Sequence, residues 1–290
     1  MLSSGGATIK PTTNSLWQDT EAEIRQGQTV GELVIRHPQL RPRLEQLGID
    51  YCCGGKNPLA EAVKGAGLTW STVLAMLQTE LCGRQNAAET DWSAVTLTML
   101  ADHILETHHV FMKKQLPRLD DLLGKVQKAH GARHGDMLQN VRSVFDSLRL
   151  EFDPHLAKEE QTLFPAIKRI DAFMSATGPR PVVHRGSMAQ TIRQMEHEHE
   201  NLGQTLVELR RRTGGYCLPA DACPSFTALY DGLKAMEADL HEHIHLENNI
   251  LFPESLKQEA FMIEKGTKRG QPEKLGQVKT VLGKQEESTP

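Results

Sequence analysis

Two segments of the chain read alike. His155-x-x-x-Glu159 is followed after four residues by Phe164-Pro165, and His243-x-x-x-Glu247 after four residues by Phe252-Pro253. On a helix, residues i and i+4 project from one face about 6 Å apart along the axis, so each segment aims an imidazole and a carboxylate at one point. Two such helices facing each other make a metal site. His109 lies 46 residues before His155, and His199 lies 44 residues before His243, both on strongly helical stretches. The chain from about 94 to 253 therefore reads as two helical hairpins, each giving one His from its first helix and a His and a Glu from its second. Four histidines and two glutamates then converge inside a four-helix bundle, where facing side chains commonly supply metal ligands.

Such a cluster costs several kcal/mol per ionised group if buried unpaired, so either a metal holds it or it faces water. A solvated face gives no reason to duplicate both His-x-x-x-Glu and Phe-Pro. Nitrogen and oxygen ligands without thiolate suit iron, manganese or zinc, and structural zinc takes four ligands rather than six. Six ligands point to two ions. If both glutamates bridge and two histidines serve each ion, each keeps room for a shared oxo or hydroxo group and for one small molecule such as O2 or NO. A competing geometry uses Glu106-x-x-His109 and Glu196-x-x-His199 as in ferritin-like di-iron bundles, but it leaves His155 and His243 idle. Spacing alone leaves both His108 and His109 on inner faces. His103, His197, His241 and His245 sit at non-equivalent angles and read as outer-sphere or surface residues. His37, His130, His134 and His184 fall near helix ends or loops, where a surface place is the default.

A second chemical feature is the pair Cys52-Cys53 within Gly48-Ile49-Asp50-Tyr51-Cys52-Cys53-Gly54-Gly55-Lys56. Two glycines end any helix here and imply an exposed turn. A disulfide between neighbours demands a strained ring, so the pair reads as thiols that the glycines expose and that Lys56 shifts toward thiolate. The plain alternative is two small residues filling a turn. Cys82, Cys217 and Cys223 lack such context and read as structural.

The elements that must position these groups give an all-α fold. Residues 1–26 form an extension expected to be disordered, 27–82 a small helical module, 83–91 a linker, 92–254 the bundle, and 255–290 a mixed-charge tail expected to be disordered. In the module, Thr29-Val30-Gly31-Glu32 is a capping box opening a helix that Pro38 ends. A second helix runs from Pro38 to Gly48, a third starts at Asn57-Pro58, and a fourth follows Leu68 to about Cys82. Bundle helices are expected over about 92–128, 135–170, 187–212 and 224–251, with the longest bundle loop at 172–186. Pro117 and Pro154 predict kinks near the ligands, or a fresh helix start at Pro154.

Composition narrows the function. The 290 residues are 39% hydrophobic and 24% charged with net charge −4, which suits a soluble protein and gives no electrostatic case for nucleic acid. No apolar run of membrane-spanning length and no signal-peptide pattern is found, so the expected location is the cytoplasm. Five cysteines do not suggest a disulfide scaffold.

The histidine pattern with two His-x-x-x-Glu segments resembles the hemerythrin-like domain, and GIDYCCGGK at 48–56 resembles the signature of the N-terminal module of the iron-sulfur cluster repair di-iron (RIC) family. Together the motifs cover roughly 27–254. The resemblance implies a hemerythrin-like four-helix bundle with two non-haem iron ions, oxo- and carboxylate-bridged, on His109, His155, Glu159, His199, His243 and Glu247. It selects His109 over His108 through the segment DHILETHH. It implies repair of iron-sulfur clusters damaged by oxidative or nitrosative stress, with Cys52 and Cys53 taking part. Iron-sulfur proteins as clients, O2 or NO as small ligands and a homodimer are the expected partners, with neither nucleic acid nor membrane. A hemerythrin-like O2 or NO binding or sensing protein without a repair role is the alternative.

Overall fold

The computed structural model describes residues 24–83, 90–182 and 186–269. The fold is all-α, with no strand among the described residues beyond a single bridge between Thr29 and Pro58. The small module holds α1 (Val30–Arg36), a 3-10 turn (Pro38–Leu40), α2 (Arg41–Gln46), α3 (Leu59–Gly65) and α4 (Trp70–Gly83). The capping box forms as expected, with Glu32 N–H donating to Thr29 Oγ1 at 3.1 Å and Thr29 N–H to Glu32 Oε2 at 2.9 Å. Ile24, Val30, Leu33, Leu40, Leu44, Leu59 and Val63 are all buried. They belong to the same apolar core as bundle residues from Met112 to Ile244, so the module is packed on the bundle rather than held apart from it.

The bundle is built from α5 (Leu97–Ile104), α6 (Val110–Lys158), α7 (Phe164–Met174), α8 (Ser187–Arg212), α9 (Pro224–Leu246) and α10 (Phe252–Arg269). Thr96 caps α5 by accepting from Met99 N–H. α6 is two antiparallel arms, because His134 leaves helical geometry (φ −123°, ψ 19°). Asp120 on the first arm pairs with Arg142 at 2.5 Å and Arg149 at 2.8 Å on the second. At the break, Asp221 accepts from His134 Nε2 at 2.9 Å and Arg133 at 3.2 Å, tying the loop before α9 to this corner. Cys217 is exposed, and Cys223 is half-buried and packed against the apolar core.

Pro117 and Pro154 leave the helix unbroken; the break falls at His134 instead. Both prolines are exposed, and so are Lys113 and Leu150 four residues back, so water can satisfy the carbonyls the prolines free.

A larger departure lies at the C-terminal end of the bundle. The tail expected to be disordered from 255 is helical to Arg269 within α10. Ser255, Glu259 and Met262, at i, i+4 and i+7, are all buried, and Ser255 Oγ donates to the Leu251 carbonyl at 2.6 Å. Two polar members disguise an inward stripe of ordinary helical period. Similarly, Ile24 is buried, so the N-terminal boundary lies before 26. Residues 1–23 of the expected extension, 84–89 of the linker and 270–290 of the tail, and His184, lie outside the described residues.

Candidate metal centre

Three wide π-helical turns interrupt the bundle, at Leu105–His109, Glu159–Leu163 and Glu247–Leu251. Each contains or begins on a residue that the sequence analysis selected. Such turns are rare and concentrate at functional sites, because they swing one residue out of its helical direction. Phe164-Pro165 and Phe252-Pro253 follow two of them. Pro has no N–H to donate, so it fits where the hydrogen-bond register changes. Each Phe packs on an imidazole: Phe164 on His109, with ring centres 5.7 Å apart, and Phe252 on His199 at 5.9 Å.

The six residues meet in the bundle interior with side chains at most 1% exposed. Their donor atoms form two groups, His109/Glu159/His243/Glu247 and His155/Glu159/His199/Glu247, each within 4.8 Å. Glu159 Oε2 lies 3.4 Å from His109 Nε2 while its Oε1 lies 3.1 Å from His155 Nε2. Glu247 Oε1 lies 3.2 Å from His243 Nε2 while its Oε2 lies 3.1 Å from His199 Nε2. Each carboxylate thus turns one oxygen to each histidine pair. Adjacent ligands on one ion, at bonds of about 2.1 Å, stand about 3 Å apart, which is the separation seen here. Among the described residues, both oxygens of Glu159 and of Glu247, His109 Nε2 and both nitrogens of His243 have no hydrogen-bond partner. Buried carboxylate oxygens and imidazole nitrogens that converge in this way are costly unless protons or a cation hold them, and the donor set fits a cation.

Electrostatics carry the same message. Burial opposes charge on His155 and His199, yet carboxylates outweigh it: Glu159 and Glu198 push His155 up to about 9, and Glu159 and Glu247 push His199 up to about 10. Burial likewise opposes charge on Glu159, but the imidazoles of His155, His109 and His199 hold it well below the usual carboxylate range. For His243, burial prevails and lowers its pKa. Without a metal, protons on the imidazoles must balance the glutamates.

Outer contacts orient the ring nitrogens that face away from the centre. His109 Nδ1 donates to Glu160 Oε1 at 2.8 Å, which Lys113 also pairs at 2.5 Å. His155 Nδ1 donates to Glu198 Oε2 at 3.0 Å, and His199 Nδ1 to Asn248 Oδ1 at 2.9 Å. These bonds leave Nε2 with its lone pair toward the centre. His108 turns away to Asp239, at 3.0 Å, and stacks on the His243 ring. Glu106 is exposed, and Glu196 pairs with Lys56 at 2.5 Å, so neither ferritin-type glutamate reaches the cluster. Among the other histidines, His197 is exposed, His103 stacks on Trp92, and His241 and His245 are engaged by Glu45 and Asn249.

The Cys52-Cys53 loop differs from its sequence reading. Cys52 is buried and Cys53 half-buried, with the loop seated against α8 and the Glu247–Leu251 turn. Cys53 Sγ donates to the His199 carbonyl at 3.4 Å, and a Cβ at Gly203 would lie 3.3 Å from that sulfur. The glycines make room rather than expose thiols: a Cβ at Gly55 would lie 2.1 Å from Asn249 Oδ1, and one at Gly31 2.7 Å from it. Asn249 Nδ2 donates to the Tyr51 carbonyl at 3.1 Å. Lys56 is committed to Glu196, and the Cys53 thiol, burial and Asp50 raise the Cys52 pKa well above its ordinary value. A cleft of about 920 Å³ opens beside Cys53, lined by Lys56, Arg193, Glu196 and Gln204 among others.

Sequence reasoning missed Glu160, Glu198, Asn248 and Asn249. A signal was present, since Glu160 and Asn248 occupy the same place in the two repeats, directly after the glutamate.

Fold and donor set define a four-helix cation-binding bundle joined to a small cysteine-bearing helical domain. Residues 100–255 match the family model described as the hemerythrin HHE cation binding domain, and residues 26–81 match ScdA_N, a domain of unknown function. The chain is 35% identical over 232 residues to the iron-sulfur cluster repair protein YtfE of Salmonella newport, and equally to that of Salmonella heidelberg, covering 80% of this chain and 98% of each relative. The chain belongs to this family of iron-sulfur cluster repair proteins with a hemerythrin HHE domain.

Proposed function

We propose that His109, His155, Glu159, His199, His243 and Glu247 hold two non-haem iron ions, with both glutamates and an oxo group bridging, and that the protein repairs iron-sulfur clusters damaged by oxidative or nitrosative stress. The observation that carries the metal reading is the division of each carboxylate, one oxygen to each histidine pair. The relatives' role in iron-sulfur cluster repair supports the rest. When bound, the iron pair supplies redox chemistry, a position for O2 or NO, or iron itself for a damaged cluster.

The chain's own residues do the following. Glu160, Glu198 and Asn248 fix the imidazole tautomers. Phe152, Phe164 and Phe252 shield the rings from water. Cys52 and Cys53 form a second, soft site suited to iron or nitrosylated iron, placed at the cleft where a client can approach. A plain O2 or NO carrier has no use for a cysteine loop built onto a ligand-bearing helix. No described helix is long and apolar enough to cross a membrane.

Metal analysis with Mössbauer spectroscopy on protein from iron-replete cells tests this. Two irons per chain in a coupled pair are expected, and stoichiometric zinc without iron overturns the reading. For the cysteines, Cys52→Ser/Cys53→Ser keeps the iron but impairs recovery of a NO-damaged cluster enzyme. Unimpaired recovery at equal iron content removes the pair from the function.

A further inference from the structure

The two repeats place different residues directly after the bridging glutamate, and the difference falls where the cysteine loop docks. Glu160 accepts from His109 Nδ1 at 2.8 Å and Asn248 accepts from His199 Nδ1 at 2.9 Å, so the two have one task. A carboxylate is the stronger acceptor and supports the ligand better. Asn248, however, has a second bond that no carboxylate can make: its Nδ2 donates to the Cys52 carbonyl at 3.3 Å. Asn248 is 6% exposed and His199 fully buried, so this line runs through the interior. A second link converges on the same residue, from Cys53 Sγ to the His199 carbonyl at 3.4 Å. No histidine other than His199 is bonded both to the centre and, directly or through one side chain, to the cysteine loop among the described residues.

We propose that Asn248 is a positioning residue that couples the Cys52–Cys53 loop to the metal ligand His199. A change at the cysteines that moves the Cys52 carbonyl shifts the amide, and the amide turns or releases the His199 Nδ1–H. The reverse holds as well, since coupling between two sites is reciprocal. The proposal rests on His199 being a ligand, as proposed above, but the hydrogen-bonded line itself can be read without metal.

The test uses full-length chain labelled with 15N-histidine, metal-free and iron-loaded. Methyl methanethiosulfonate, which converts an accessible cysteine thiol to a mixed disulfide with release of methanesulfinate, enters through the cleft beside Cys53. In the wild type, this modification moves the His199 Nδ1–H resonance by more than its linewidth in both forms and leaves the His109 resonance in place. Asn248→Asp retains the acceptor for His199 but loses the donor to Cys52. The His199 resonance therefore persists in this variant and becomes insensitive to the reagent. Asn248→Leu loses the resonance altogether. Glu160→Gln, the matching change in the other repeat, leaves the cysteine response of His199 intact. A His199 resonance indifferent to the reagent in wild type, or still responsive in Asn248→Asp, overturns the coupling. Loss of iron binding with the metal-free response preserved overturns the metal reading instead.

Discussion

The two halves of the metal centre come from a repeated sequence, yet they are not equivalent. On one side, His155 and His199 have both outer nitrogens bonded, to Glu198 and Asn248, and the half abuts the cysteine loop. On the other, His109 is held by Glu160, but His243 Nδ1 has no partner among the described residues. The reason is visible in the repeat. Glu198 precedes His199 and holds His155; His108 precedes His109, and instead of holding His243 it stacks on its ring and bonds Asp239. A duplicated ligand set has diverged in its outer contacts. One half is tightly oriented and wired to a second site, while the other leaves a ligand freer to adjust.

The largest expected effect tests what the halves share. Glu159→Ala and Glu247→Ala each remove an oxygen from both positions, so either variant loses most of both equivalents of iron. His155→Ala also loses much of its iron, whereas His245→Ala, outside the cluster, keeps it. Iron per chain by elemental analysis decides this. Full retention in a glutamate variant breaks the bridging arrangement.

Next in size is a change that reaches only the half beside the cysteines. Gly55→Ala places a methyl 2.1 Å from Asn249 Oδ1, so either the Asn249 amide leaves its place or the loop shifts. The expected cost is about 1–3 kcal/mol, as for other overpacked sites, measured by chemical denaturation. The environment of His199 changes while that of His109 does not.

How much of this was legible follows from the physics of each element. The ligands could be read because i and i+4 share a helical face and the pattern occurs twice. The π turns could not, since nothing in the composition of Leu105–His109 marks a wider turn. The extension of α10 was hidden by Ser255 and Glu259, polar residues at inward positions. The glycines after Cys53 were noticed, but their purpose depends on Asn249, some 195 residues away in the chain. Spacing alone leaves His108 and His109 undecided; the family resemblance selects His109, and the partners on other helices give the physical reason, Glu159 for His109 and Asp239 for His108.

Proton release sharpens the comparison further. His155 and His199 have pKa values raised to about 9 and about 10, above the ordinary imidazole value, so both carry protons in metal-free protein at pH 7. Their charge stabilises the metal-free fold fully below the unfolded imidazole pKa, and this stability is lost as pH rises through about 9 and about 10. Ligation needs the Nε2 lone pair, so loading at pH 7 expels about two protons from this half. In the other half His243, whose pKa burial lowers, adds none, while His109 is raised by Glu159 and Glu160 against its burial. Calorimetry of metal loading in buffers of different ionisation heat measures the release, which shrinks as pH passes the raised values. A binding heat independent of the buffer removes the electrostatic account of the asymmetry.

The smallest effects belong to Glu106 and Glu196, and they separate this arrangement from a ferritin-like one. Both glutamates stand three residues before a ligand histidine, where a ferritin-like centre takes its carboxylates. Here Glu106 is exposed and Glu196 is bonded to Lys56, across the seam between module and bundle. Glu106→Gln is expected to change neither iron content nor the visible absorption of the loaded protein. Glu196→Gln also keeps the iron, but it removes a partly exposed ion pair. Such pairs contribute less than about 1 kcal/mol because water screens the charges and the long side chains lose freedom. The loss shows in denaturation of the seam, on the His155/His199 side alone. Iron lost from both variants restores the ferritin-like geometry, and with it a centre whose two halves are equivalent.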